Sequence, residues 1–276
     1  MASYSAQESV VTAEYLGRVA VLTIHNEKKL GALSQLQYYE LSQKLREVAT
    51  HDEVYITVIL GTGRFFSAGA DVSISKSVPT GVVDDRQHWL QTFVAFNLNI
   101  TQAFASHPKI LVVGLNGPVI GLSAALVAHA DFIYAAPHTF LLTPFSSIGL
   151  VAEGGASRAL VTRLGVPKAK EALIMSKRIG AAELKQTGFV NEVFEVQQGE
   201  DQKFRELVLK EVDERLGEHL IGDSLLGIKK LIRGPETELV DLSNYREVFD
   251  GMGRFLSGVP QEQFRKIASG EKRHKL

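Results

Sequence analysis

Two stretches, "VYITVIL" (54–60) and "KILVVGL" (109–115), limit the architecture more than any other feature. Each is an apolar run of strand length without alternation, the pattern of a strand covered on both faces. Each breaks at once in a glycine turn, "GTGRFFSAGAD" and "NGP", and each turn leads towards a helical stretch. Parallel strands need a crossover connection, usually a helix, so the repeated order of strand, glycine turn and helix predicts α/β layering.

The flanking segments extend the pattern. "RVAVLTIH" (18–25) alternates and is β-branched, which predicts a strand hairpinned with residues 10–15. Ser34 has the character of an N-cap, and Leu41, Leu45 and Val48 follow at helical spacing to about Thr50. Residues 73–85 carry Ser, Pro, Gly and Asp without a period and read as a loop. A long helix is predicted over 85–106, stopping before Pro108, and another over 122–130, rich in Ala and Leu. Strands near 132 and 190 continue the sheet. Beyond about Thr162 the chain reads as mostly helical, including 202–216 and 245–256. We divide it into a core over 1–200 and a C-terminal helical region over 201–276, which is either a separate small domain or an oligomerisation layer.

Bulk properties narrow the function. Thirty basic and 31 acidic side chains give a net charge of -1, no excess with which to hold a nucleic-acid backbone. Without cysteine there are no disulfides, thiolate chemistry or Cys-ligated zinc, and the eight histidines form no metal spacing. No metal is therefore expected. No apolar run approaches the ~20 residues needed to span a bilayer, and the first residues lack the form of a secretory signal. His274-Lys275-Leu276 is similar in shape to the Ser-Lys-Leu type of peroxisomal address, with a solvated basic tail as the alternative.

Three segments carry chemistry. "FFSAGAD" (65–71) is a small-Gly-small turn after a buried strand, open enough for a ligand oxygen to reach the amide of Ala70; a simple tight turn is the other reading. "NGPVIGLSAAL" (116–126) puts Gly121 at a helix entrance, where first-turn N–H groups lack partners and could hold an oxyanion. The same segment nearly fits the nucleophile elbow G-x-S-x-G around Ser123, but neither His138 nor His219 has the context of a triad histidine. "GLVAEGGASRAL" (149–160) sets one carboxylate, Glu153, among small and apolar residues. In a dry pocket that glutamate would be a base whose pKa is raised by burial.

Together these residues resemble the crotonase (enoyl-CoA hydratase/isomerase) superfamily. "FFSAGAD" and "NGPVIGLSAALVAHADFIYA" are similar to its two oxyanion-hole signatures, "NEKKLGALS" to its first CoA-contacting loop and "GLVAEGGASRAL" to its glycine-paired segment. Within the superfamily the likeness is to fungal peroxisomal Δ3,Δ2-enoyl-CoA isomerases and runs over most of the chain. The resemblance implies a spiral of ββα turns with a C-terminal helical region that builds homotrimers or dimers of trimers. It implies fatty acyl-CoA thioester substrates, with CoA as part of the substrate and no cofactor, and action in peroxisomal β-oxidation after capture by an import receptor.

Carried over by position, Ala70 and Leu122 would donate the oxyanion N–H groups and Glu153 would be the base, oriented by Asn97. Residues Ala68, Gly69, Ala70, Asp71 and Val72 would line the thioester site, with Lys28 beside the CoA nucleotide. Hydratases of the superfamily carry two glutamates, and the matching positions here hold Ala125 and Phe145. That departure points away from hydration, and towards transfer of a proton from C2 to C4 of a 3-enoyl thioester by one carboxylate. Hydration, dienoyl isomerisation and a non-catalytic acyl-CoA scaffold are the alternatives.

Overall fold

A computed structural model describes residues 9–71 and 84–272. Val72, most of the 73–85 loop and the terminal tripeptide fall outside those residues.

Among the described residues, nine strands divide between two sheets. The larger contains β1 (Val11–Leu16), β2 (Val19–Ile24), β3 (Ile56–Gly61), β4 (Ile110–Leu115), β6 (Phe132–Ala135) and β9 (Glu192–Val193), in the order β1-β2-β3-β4-β6-β9. The β1–β2 hairpin is antiparallel and every other pairing is parallel. β3 and β4 are buried at every position, as their unbroken apolar runs require. The smaller sheet joins β5 (Val119–Ile120), β7 (Phe140–Leu142) and β8 (Ile179–Gly180). Two isolated parallel bridges, Leu33 to Ala70 and Ser67 to Val119, extend this second layer towards the start of the chain. The chain thus alternates between layers, with a strand in the large sheet, a short pairing in the second layer, then a helix. This is the α/β ββα spiral that the resemblance implies.

Local chemistry explains the helix boundaries. α1 (Gln35–Ala49) starts in a capping box: the Ser34 hydroxyl accepts from the Gln37 N–H while the Gln37 side chain accepts from the Ser34 N–H. The stretch expected as one helix over 85–106 consists of α2 (Asp85–Trp89), a π-helical turn (Leu90–Val94) and α3 (Ala95–Ala105). Asp84 caps its start. α4 (Gly121–Val127) begins at the glycine expected to open it but is shorter than the Ala-rich run suggested. α5 (Ala156–Leu173) follows the Gly154–Gly155 turn, and α6 (Ala181–Gln186) leads to β9.

Three helices complete the chain: α7 (Asp201–Leu216), α8 (Gly222–Leu256) and α9 (Val259–Ala268). Phe204, Val208 and Val212 of α7 bury against the large sheet, so the first of them is part of the packed body. Only the last third of α8 was read as a helix from sequence. Its earlier turns contain Gly227, Gly234 and Pro235, which lower intrinsic helix preference, and the buried residues of the helix begin only at Val240. A separate apolar cluster of Trp89, Phe93, Val94, Val248, Met252 and Phe255 pins α8 against the α2–α3 stretch. The functional pocket lies beside that cluster. Among the described residues, no helix is long and apolar enough to cross a membrane.

Candidate active site

The pocket is built where the second layer brings two loops together. Ile120 N–H donates to Ser67 O at 2.9 Å, next to the Ser67–Val119 bridge. Three residues beyond that bridge on each segment stand Ala70 and Leu122. Ala70 shares a bridge with Leu33, but the bonds of that bridge use the Leu33 N–H, the Gly69 carbonyl, the Asp71 N–H and the Leu33 carbonyl. Leu122 lies in the first turn of α4, where an N–H has no intrahelical acceptor. Among the described residues, neither amide donates a hydrogen bond to protein. Two adjacent N–H groups are therefore available to one oxygen in a pocket wall.

Glycine makes that approach possible. Gly69 has φ +89°, and a Cβ there would stand 2.7 Å from the Ile120 carbonyl oxygen. A buried chain of hydroxyls ties the two loops from behind. Tyr38 Oη and Ser123 Oγ share a 2.7 Å hydrogen bond, Ser123 and Ser67 share one of 2.8 Å, and Ser67 Oγ donates to Gly31 O and accepts from Gly69 N–H. Burial pushes the Tyr38 phenol up, above its ordinary value, so it stays protonated. Ser123 therefore faces inward towards Tyr38 and Ser67. Among the described residues it has no histidine partner, and the nucleophile-elbow reading finds no support.

The cavity has a volume of about 190 Å³ and is lined by Ala68, Gly69, Ala70, Gly121 and Leu122 on the amide side. Phe93, Phe96, Phe145, Leu150 and Phe255 form apolar walls, and Phe264 and Ile267 of α9 close over it. Glu153 also lines it and is the one titratable side chain among the described lining residues. Asn97, fully buried on α3, donates from Nδ2 to Glu153 Oε2 at 2.9 Å and accepts the Gly154 N–H on its Oδ1 at 3.2 Å. These partners fix both the Asn97 amide and the carboxylate it holds.

Glu153 is half-buried and lines the pocket, with the Asn97 amide on one of its oxygens. Burial raises its pKa to about 7; the negative charge of Glu247 adds to the rise, and the Asn97 hydrogen bond opposes it. A carboxyl tuned there can take a proton and return it near neutral pH.

Sequence reasoning finds Asn97 but misses Glu247 and His129, which also hold the Glu153 segment. Gly154 and Gly155 both adopt left-handed conformations, φ +72°, and Gly155 caps α5 without a side-chain bond of its own. Glu247 of α8 fills that role, accepting the Gly155 N–H on Oε2 and the Ser157 N–H on Oε1, each at 2.7 Å. His129 Nε2 stands 2.8 Å from Gly154 O. A carbonyl only accepts, so the imidazole proton sits on Nε2. Burial above all lowers the His129 pKa, to about 4, so the ring is neutral. The helical spacing around Glu247 marks it as a charge on a mostly apolar face, but nothing local connects it to residue 155.

The remaining expected residues lie around the rim. Asp71 pairs with Lys29 at 2.6 Å, joining the first loop to the 3-10 turn Glu27–Lys29. Lys28 is exposed on that turn and does not line the cavity. Ala125, fully buried, packs beneath Gly154, and Phe145 lines the pocket, so both positions that the resemblance matches to hydratase acids are apolar. Among the described residues, no cluster of three or more His, Cys, Asp or Glu could hold a metal.

An α/β spiral that places two available backbone amides and a lone carboxylate on one apolar pocket defines a class, the crotonase-type acyl-thioester proteins. The chain belongs to the enoyl-CoA hydratase/isomerase family, which its residues 14–212 match. It is 68% identical to the Δ(3,5)-Δ(2,4)-dienoyl-CoA isomerase of Pyricularia oryzae, over 97% of this chain and 99% of that one. It is 32% identical to the 3,2-trans-enoyl-CoA isomerase of Saccharomyces cerevisiae, over 98% of both. The crystal structure of an enoyl-CoA hydratase/isomerase from Pseudoalteromonas atlantica shares the fold, with a TM-score of 0.82 at 24% identity, covering 97% of this chain and 100% of that one.

Proposed function

We propose that the protein is an enoyl-CoA isomerase that moves the double bond of a 3-enoyl-CoA to the 2-trans position. The observation that carries this reading is the lone carboxylate: Glu153, held by Asn97, shares the pocket with two undonated amides and otherwise apolar walls. The C2 protons of a 3-enoyl thioester are acidified by the carbonyl and the double bond together. Glu153 takes one of them, and the charge of the resulting dienolate collects on the thioester oxygen, where the Ala70 and Leu122 N–H groups bind it. The Glu153 carboxylic acid then gives its proton to C4. C2 and C4 flank C3 on the same short segment, so one carboxyl serves both and no second acid is needed. Hydration would need a second group to activate water, and positions 125 and 145 hold none.

One observation favours a second reading. The 68% identical relative is named a dienoyl-CoA isomerase. Conversion of a 3,5-dienoyl-CoA to its 2,4 isomer moves the proton from C2 to C6, beyond the C2–C4 span that one carboxyl covers. That reaction calls for a second proton carrier.

Purified protein should be given 3-hexenoyl-CoA and 3,5-octadienoyl-CoA in parallel, with products separated by chromatography. Formation of 2-trans-hexenoyl-CoA, falling by at least ~100-fold in Glu153→Ala, is the expected result. Dominant turnover of the diene would move the assignment to the second reading, and dominant hydroxyacyl-CoA products would overturn both.

A further inference from the structure

The Glu153 segment has an unusual construction. Two successive left-handed glycines separate the carboxylate from α5, and α5 has no cap within its own sequence. Such a turn has many alternatives in isolation, because glycine is permissive on either side of φ zero. Three elements remote in sequence restrict it: Asn97 of α3 on Glu153 and Gly154, His129 at the end of α4 on the Gly154 carbonyl, and Glu247 of α8 on Gly155 and Ser157. Only the last can carry charge: burial pushes its carboxyl above the ordinary value, and the hydrogen bonds from Ser157 and Gly155 oppose that rise. It is also the contact that spans the N-terminal end of α5, where a carboxylate is favoured by both the free N–H groups and the helix dipole. Glu247 is 6% exposed, and its two backbone bonds engage both of its oxygens.

We propose that Glu247 is a positioning residue for the reaction: from α8, its carboxylate locks the Gly154–Gly155 turn so that Glu153 faces the acyl pocket. The inference rests on the assignment of Glu153 as the base. The bonds fix where Glu153 stands, and the charge acts on it through space. Two carboxylates packed in one low-dielectric region disfavour each other's ionisation, so an ionised Glu247 raises the proton affinity of Glu153.

The surrounding charges leave Glu247 as the main electrostatic influence. α3 contributes Asn97 and Thr101 but no charge near the turn. His129 is neutral. Arg158 of α5 is committed to Glu236 of α8 at 2.7 Å, and Arg254 of α8 donates to the Gly149 carbonyl at 2.8 Å. Near the pocket mouth, Lys272 reaches the Ser147 carbonyl, and Arg265 of α9 pairs with Glu262 and Glu271.

The test compares Glu247→Gln and Glu247→Asp with the wild type, reading kcat, KM and the acid limb of the pH–rate profile, with thermal melts alongside. Gln keeps the shape but loses the charge and one acceptor. It should lower kcat roughly tenfold or more with KM little changed, and move the acid limb down by about one pH unit. Asp keeps the charge on a shorter arm, so kcat should fall while the limb stays near its wild-type position. Wild-type kcat and limb in Glu247→Gln would overturn the proposal. So would a variant whose only change is a lower melting temperature. If Glu247→Gln does not fold, undiminished kcat in Glu247→Asp overturns it just as well. If the wild type turns over no enoyl-CoA, the functional reading falls by itself. The carboxyl of Glu153, followed by carbon-13 NMR in the same variants, then decides: a titration displaced downward in Glu247→Gln supports the proposal, and an unmoved one overturns it.

Discussion

At the scale of single residues, Glu153 has opposite effects on chemistry and stability. Its folded pKa of about 7 lies above the ordinary 4.5, so between those values the folded state binds more protons than the unfolded chain. Stability therefore falls as pH rises through that window, by an upper bound on the order of 3 kcal/mol. Glu153→Gln should remove the penalty while abolishing proton transfer. Denaturant unfolding at pH 8 should find the variant more stable than wild type by about 1–3 kcal/mol, with the difference shrinking towards pH 4.5. Equal stability at both pH values would show that the carboxylate is solvated in the fold. Glu153 was legible in the sequence because a lone acid among glycines and apolar residues is hard to explain on a surface. Glu247 was not, because its partners lie 92 and 90 residues away and only the tertiary fold joins them. Ser123 shows the converse: its local pattern suggested a nucleophile, and its three-dimensional neighbours make it a tie between two loops.

At the scale of elements, the two glycine loops behave as one part. Gly154 (φ +72°) lies over α4, where an added Cβ would stand 2.9 Å from both Ala125 Cβ and Leu122 Cδ1. Gly154→Ala would thus strain its own backbone, by about 1–2 kcal/mol, and push against the residue that carries an oxyanion amide. We expect a melting temperature lower by several degrees and a larger loss in kcat than in substrate binding, measured by calorimetry and steady-state kinetics. Gly165, at φ +73° and ψ 156° in a region open essentially to glycine alone, has open space around its Cβ position and provides the control: Gly165→Ala should carry a backbone cost without the catalytic one. The strands of the large sheet were readable, β3 and β4 because burial on both faces leaves an unbroken apolar run; the two-residue strands β5 and β8 were not. The first two-thirds of α8 were not, since Gly227, Gly234 and Pro235 argue locally against a helix. The π-helical turn at Leu90–Val94 has no sequence signature that we recognise.

At the scale of the whole molecule, α8 has two apolar faces. One packs against α2 and α3 through Val248, Met252 and Phe255. The other presents Ile228, Leu231 and Ile232 to solvent, with Leu231 79% exposed. A monomer rarely leaves such a row uncovered. We expect self-association through this face, in line with the trimer that the resemblance implies. Sedimentation velocity should give a species larger than 30.2 kDa, and Leu231→Glu with Ile232→Glu should reduce it towards the monomer. A wild-type chain that sediments as a monomer at micromolar concentration would refute this.

The placement of Glu153 also gives the pocket a sidedness. In the proposed reaction, a planar dienolate pinned by its oxygen between two amides would present one face to that carboxyl. A proton lifted from C2 and set down on C4 by the same oxygen atoms therefore stays on one face of the carbon skeleton. A deuterium placed at that C2 position would travel with it, emerging at C4 with defined configuration to the extent that the carboxyl holds it against exchange with water. The architecture of one glutamate would then be recorded in the isotopic and stereochemical pattern of the product.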